Sequence, residues 1–225
     1  MNLGRFYAIA GILVALELAL SAWGLALVGA TATVPIHWSV SGEPDGYAPA
    51  WVAFLVGPVV TAAIVGLMAL IPRIEPRREN LRRSANAYRT IALAVVVFMG
   101  VIHAVTVLSG VGVDVPVGVV VGGGVGVVFV IIGNVLTTVR STFLFGVRTP
   151  WTLSSERAWD RTHRLVGRLF VVTGIAMAVT ALTGQLQLVF AVMLAMLAGT
   201  LVVGTWYSFR VWRDDPDRHP IGDPR

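Results

Sequence analysis

The sequence has no cysteine and no lysine among its 225 residues, and only 13% of them are charged. Without cysteine there is no disulfide framework and no thiolate metal site. Without lysine, all seventeen basic residues are arginine, a bias that genome composition explains and that also favours binding of phosphate. The shortage of charge, with 56% hydrophobic residues and a mean hydropathy of +0.79, excludes an ordinary soluble domain and indicates a polytopic membrane protein. No GxSxG, HExxH or P-loop stretch occurs, so the chain is read as no enzyme, with no cofactor and no metal. A net charge of +5 suggests nucleic acid in other settings. Here the arginines flank apolar segments, so the expected electrostatic partner is membrane lipid and no nucleic acid is implied.

What the chain does have is long apolar runs. Six can cross a bilayer, near Phe6–Ala30, Trp51–Ile71, Tyr88–Ser109, Val117–Val139, Leu165–Thr183 and Leu188–Trp212. The first is longer than the apolar core of a signal peptide and is taken as a retained span. The expected fold is therefore all-α, with six transmembrane helices. Placing the N-terminus in the cytoplasm puts every arginine inside: Arg5, the cluster Arg73–Arg89, the cluster Arg140–Arg168, and the group from Arg210 to Arg225. That distribution predicts both termini cytoplasmic in a multi-pass protein of the cell membrane. Three regions are expected: 1–87 with two spans and an external loop, 88–212 with four spans, and 213–225 as a disordered tail, proline-rich and charged.

Between the fourth and fifth spans lies NVLTTVRSTFLFGVRTPWTLSSERAWDRTHRLVGR. Pro150 forces Thr149 into an extended conformation. Ser154 and Ser155 can then cap a helix whose first turn carries Glu156. On that helix Arg157, Arg161, Arg164 and Arg168 follow i, i+4, i+7, i+11 spacing and form one stripe. Glu156, Asp160, His163 and Gly167 form a second stripe beside it. One reading is membrane anchoring with intrahelical ion pairs; the other is a docking surface for an anionic group or a protein. Arg140 and Arg148, with Asn134 and Trp151, complete the candidate surface. Glu156, Asp160 and His163 have a spacing that suits a metal, but the interleaved arginines disfavour a cation there.

Other candidates lie elsewhere. Glu17 in the first span and His103 in the third are intramembrane polar groups, either hydrogen-bonded and neutral or part of a proton or ion path. Gly118, Gly122 and Gly126 in the fourth span recur every four residues, which favours close helix packing, with a hinge as the alternative. In the first outside loop, His37, Trp38, Asp45 and Tyr47 surround a Pro-Asp-Gly turn. They form either an ordered membrane-surface loop or a ligand-binding one.

The long arginine-rich stretch closely resembles the signature of the SdpI family of membrane proteins. The pattern P-x-H-W then G-x-x-D-G-Y, carried by Pro35, His37, Trp38, Gly42, Asp45, Gly46 and Tyr47, resembles the domain that often precedes it. The resemblance implies a six-span protein conferring immunity to a secreted antimicrobial peptide toxin outside, with capture of a transcriptional repressor on the cytoplasmic side. From another class, a small transporter or ion-coupled protein using Glu17 and His103 is the alternative.

Overall fold

The structure, a computed structural model, describes residues 3–220. Among these, six helices are long and apolar enough to cross a membrane. They are α1 (Gly4–Val28), α2 (Ala50–Ile74), α4 (Ala85–Gly110), α5 (Val117–Leu136), α7 (Glu156–Ala181) and α8 (Leu186–Arg213). Two short helices, α3 (Arg78–Arg83) and α6 (Pro150–Leu153), lie in connections, and β1 (Thr33–Trp38) pairs antiparallel with β2 (Pro44–Pro49). Even α5, the shortest span at 20 residues, reaches roughly 30 Å at 1.5 Å per residue, enough for the hydrocarbon core. Side chains such as Ile12, Leu16 and Leu201 stand 59–70% exposed along these helices, a surface that lipid covers.

The fifth span begins nine residues before the expected Leu165. Its first turns are charged on the outside and so escape a hydropathy reading, but the helix itself starts at Glu156, capped by Ser155, whose Oγ accepts from Ala158 N–H at 2.9 Å. The external loop, expected as a turn, is a β-hairpin. Its register is irregular around His37, and the turn uses Gly42 at φ +87°. Val34 of β1 is buried against Ala50, Phe54 and Val107, which fixes the hairpin to α2 and α4.

Helices α1, α2 and α4 pack on one another, as do α5, α7 and α8, and α4 against α5 joins the two groups. The division thus follows α4, whereas the expected boundary at residue 87 falls inside that helix. The closest pairing is α5 with α7. A Cβ on Gly126 would sit 2.6 Å from the Gly174 carbonyl oxygen, and one on Gly167 would sit 2.7 Å from that of Gly133. In lipid there is little hydrophobic force between helices, so this backbone contact and the dispersion it recovers hold the pair together. The spacing Gly118, Gly122, Gly126 therefore marks a packing face. Gly124 receives the Phe98 ring of α4, and α5 runs on through the three adjacent glycines without a break.

The described basic residues gather at one end of the bundle, and the hairpin sits at the other. Residues 214–219, expected to be disordered, fold back at the arginine end. Asp215 is buried and accepts from Ser155 Oγ at 2.5 Å, and His219 N–H donates to Ser154 O at 2.9 Å. A capping serine with a spare hydroxyl proton gives this charged segment a fixed partner. Residues 221–225, with Arg225, lie outside the described residues.

Candidate functional site

At the arginine end, residues 137–149 cross as an irregular strap of turns and bends between α5 and α6. A strap has backbone donors that no helix satisfies, so they need partners. Glu75, fully buried at the end of α2, accepts from two of them and from Arg77 N–H as well. Its Oε1 accepts from Phe143 N–H at 2.9 Å and Arg77 N–H at 3.0 Å, and its Oε2 from Leu144 N–H at 2.8 Å. Arg77 donates to Ser141 Oγ and to Leu153 O, and its guanidinium lies 4.6 Å over the Phe143 ring. Asn80 and Ser84 complete the grip, on Ser141 O and Arg140 N–H. Nothing in the local sequence marked Glu75 or Arg77: their partners in the strap and α6 lie more than sixty residues away.

The strap runs into a second locked unit. Thr149 is extended, as Pro150 requires, and forms a reciprocal capping box with Thr152. The Thr149 hydroxyl donates to Ser208 Oγ of α8 at 3.0 Å. Trp159 is fully buried and donates from Nε1 to Val139 O at 2.6 Å. His163 stacks on it with ring centroids 4.0 Å apart. Its Nδ1–H donates to Trp159 O at 2.9 Å and its Nε2 accepts from Val147 N–H at 3.0 Å, which fixes a neutral tautomer with no nitrogen left for a ligand. Gly146, at φ +115°, makes room, because a Cβ there would meet both rings.

The two stripes on α7 therefore separate. Arg157, Arg161, Arg164, Arg168 and Glu156 are exposed and Asp160 is half-buried, while His163 and Gly167 face inward. Among the described residues none of the four arginines has an ion pair or hydrogen bond, so intrahelical pairing is not their role. They line three concavities: Arg164 with Asp160, Arg140 and Arg83; Arg161, Arg164 and Arg168 with Tyr207; and Arg157 and Arg161 with Arg210 and Trp206. The other candidates take local roles. Arg148 donates to Phe143 O at 2.7 Å, and Trp151 meets the Phe209 ring edge-on. Asn134, grouped with the candidate surface, is exposed and donates within α5 to Val130 O at 2.9 Å. No group of three or more His, Asp or Glu suited to a metal occurs among the described residues.

Toward the other end, Glu17 and His103 come together as α1 and α4 pack. His103 Nε2 lies 3.0 Å from the Glu17 carbonyl and 3.1 Å from Ser21 Oγ. That carbonyl can only accept, so Nε2 carries the proton, and in the neutral ring Nδ1 is a bare acceptor without a partner. The Glu17 carboxyl points elsewhere: Oε1 accepts from the Thr61 hydroxyl at 3.1 Å, and Oε2 is buried without a partner. Beside them opens a cavity of about 230 Å³ between α2 and α4, lined by Gly57, Thr61, Met99, His103 and Thr106 and rimmed by Ile36 of the hairpin. On the hairpin itself His37 Nδ1 meets Asp45 Oδ1 at 2.5 Å. His37 can cross there because Gly46 opposite has no side chain. Tyr47 is exposed and Trp38 half-buried.

Comparison with known proteins bears on this arrangement. The chain is 27% identical over 184 residues to "Immunity protein SdpI" of Bacillus subtilis (strain 168), covering 80% of this chain and 84% of that protein. Residues 138–208 match the SdpI/YfhL protein family. The likeness to that family rests on this segment and on the 27% identical relative. Residues 12–62 match a domain of unknown function (DUF1648). No solved structure matches. The SdpI/YfhL segment holds the strap, the capping box, the Trp159–His163 stack and the arginine stripe. The DUF1648 segment holds Glu17, Ser21, the hairpin and Thr61. Glu75, Arg77 and His103, which tie those parts together, lie outside both. The chain is thus a multi-pass membrane protein related to an immunity protein.

Proposed function

We propose that this SdpI-family protein sits in the cell membrane with its arginine end and both termini in the cytoplasm, and protects the cell against a secreted antimicrobial peptide met by the hairpin. The arginine distribution supports the orientation, since basic loops are retained on the cytoplasmic side. The observation that carries the functional reading is the cavity under the hairpin. It is apolar at its mouth, where Ile36 and Val56 stand, and holds the His103 acceptor and the Thr61 hydroxyl at its floor. A membrane-active peptide offers both apolar side chains and donors, and such a pocket suits one of its side chains. At the opposite end, Arg164 of α7 with Arg83 and Arg140 beside it suits an acidic protein surface, and capture of a transcriptional repressor belongs there in this reading. The role is binding rather than catalysis.

A test is survival under peptide challenge. A sensitive host expressing the protein should withstand a secreted antimicrobial peptide that kills the empty-vector strain. Gly57→Leu, which fills the cavity beside His103, should restore killing at equal membrane expression. Full protection by Gly57→Leu removes the cavity from the account, and no protection by the wild-type chain against any of a panel of such peptides removes immunity.

A second reading is favoured by one observation: Glu17 Oε2 and His103 Nδ1 are both buried without partners. Two such groups in a membrane interior suit an ion or proton path, and a transporter using them is the alternative.

A further inference from the structure

The groove between α7 and α8 at the arginine end is not used by the proposed peptide site. Its concavity, about 310 Å³, is lined by Arg157 and Arg161 of α7 and by Trp206, Tyr207 and Arg210 of α8, with Asp214 at the edge. The three guanidiniums are exposed and carry no ion pair among the described residues, while Asp214 is taken by Arg213 at 3.4 Å. Trp206, 60% exposed, stands under Arg210 and forms a wall shared with a second groove. That groove is almost wholly apolar, and its Leu201 and Val202 are 70% and 67% exposed.

We infer that the two grooves together bind one anionic phospholipid, its phosphate on Arg157, Arg161 and Arg210 and an acyl chain past Trp206 along Leu201 and Phe209. Depth supports this. From Arg210 to Leu201 is nine residues, roughly 14 Å along the axis at 1.5 Å per residue, about the step from phosphate level into the acyl region of one leaflet. Charge supports it as well. Three cations with only one spoken-for carboxylate leave a surplus that a zwitterionic headgroup cannot neutralise. Arginine forks also take phosphate oxygens bidentately. An acidic protein segment would satisfy the arginines but leave the Leu201–Phe209 groove unfilled, and free phosphate would do the same. A tryptophan between charge and hydrocarbon is placed as interfacial tryptophans are.

Native mass spectrometry of the full-length protein, released from detergent after incubation with phosphatidylglycerol or phosphatidylcholine, tests the site. One phosphatidylglycerol should be retained preferentially. Arg157→Gln with Arg161→Gln should lower its apparent affinity by about tenfold or more. Arg78→Gln with Arg82→Gln, which removes equal charge at the same end, should leave it within about twofold of wild type. Because Arg157 and Arg161 are exposed and unpaired, lipid-free thermal stability should not change in the first double variant. Trp206→Ala should weaken lipid retention without altering binding of inorganic phosphate. Equal retention of both lipids, equal loss in both double variants, or displacement of phosphatidylglycerol by millimolar inorganic phosphate or polyglutamate would each overturn the proposal.

Discussion

Replacing Glu75 tests whether the strap is held as described. In Glu75→Ala the N–H groups of Arg77, Phe143 and Leu144 lose their acceptor. Each buried donor left unsatisfied costs about 1–3 kcal/mol, so the variant should lose roughly 3–6 kcal/mol once water reaches part of the site. Glu75→Gln keeps one carbonyl oxygen, which still serves Phe143 and Arg77, but turns an amide toward Leu144 N–H. Its loss should be about 1–3 kcal/mol. In detergent these translate to a drop in Tm of roughly 6 °C or more for Ala and about half that for Gln. Limited trypsin digestion reports the strap itself, because Arg140 and Arg148 lie within it. Cleavage there should rise strongly in Glu75→Ala, less in Glu75→Gln, and not at all in Glu79→Ala, whose carboxylate makes only exposed ion pairs. Unchanged Tm and unchanged cleavage in Glu75→Ala would refute the reasoning that this carboxylate organises the arginine end.

Three further outcomes follow. Gly126→Leu or Gly174→Leu should collapse thermal stability and monodispersity in detergent, because either side chain must displace the facing backbone, whereas Gly123→Leu, with open space around it, should behave as wild type. A reporter fused after Asp45 should be active only outside the cytoplasm and one after Arg83 only inside. Glu17→Gln keeps the acceptor for Thr61 and should cost no more than about 1 kcal/mol. If the wild-type chain in proteoliposomes carries a proton or sodium flux that Glu17→Gln abolishes, the transporter reading replaces the immunity one.

How much of this was legible in the sequence depends on the range of the interaction. The six spans were, since each is a local run of apolar residues, and so was the start of α7, because Pro150 and Ser155 act within a turn of themselves. Hydropathy alone marked only the apolar run from Leu165, because the outward arginines of the first turns mask the part of the helix that the cap and their 3.6-residue spacing reveal. The hairpin was missed because Pro44, Asp45 and Gly46, read as a turn, open β2 instead, and strands with prolines and a bulged register lack the alternation of an ordinary strand. The glycines of α5 were visible as a face, but Gly167 and Gly174 on α7 gain meaning only when the helices meet. His163 looked like a surface neighbour of the arginines. Its inward turn follows from the strap, and the strap is held by Glu75, 68 residues before Phe143. No local pattern carries that information.

The central claim is that a secreted peptide meets the hairpin end of this multi-pass membrane protein. Photo-crosslinking tests it most directly, with a photoreactive residue at Ile36 or Tyr47 on the hairpin and, as the control, at Arg164 at the far end. Added to intact cells that the protein protects, the peptide should crosslink from positions 36 and 47 and not from 164, and Gly57→Leu should abolish the crosslink from Ile36. Crosslinking from position 164 alone, or from none of the three in cells that are fully protected, would contradict the account.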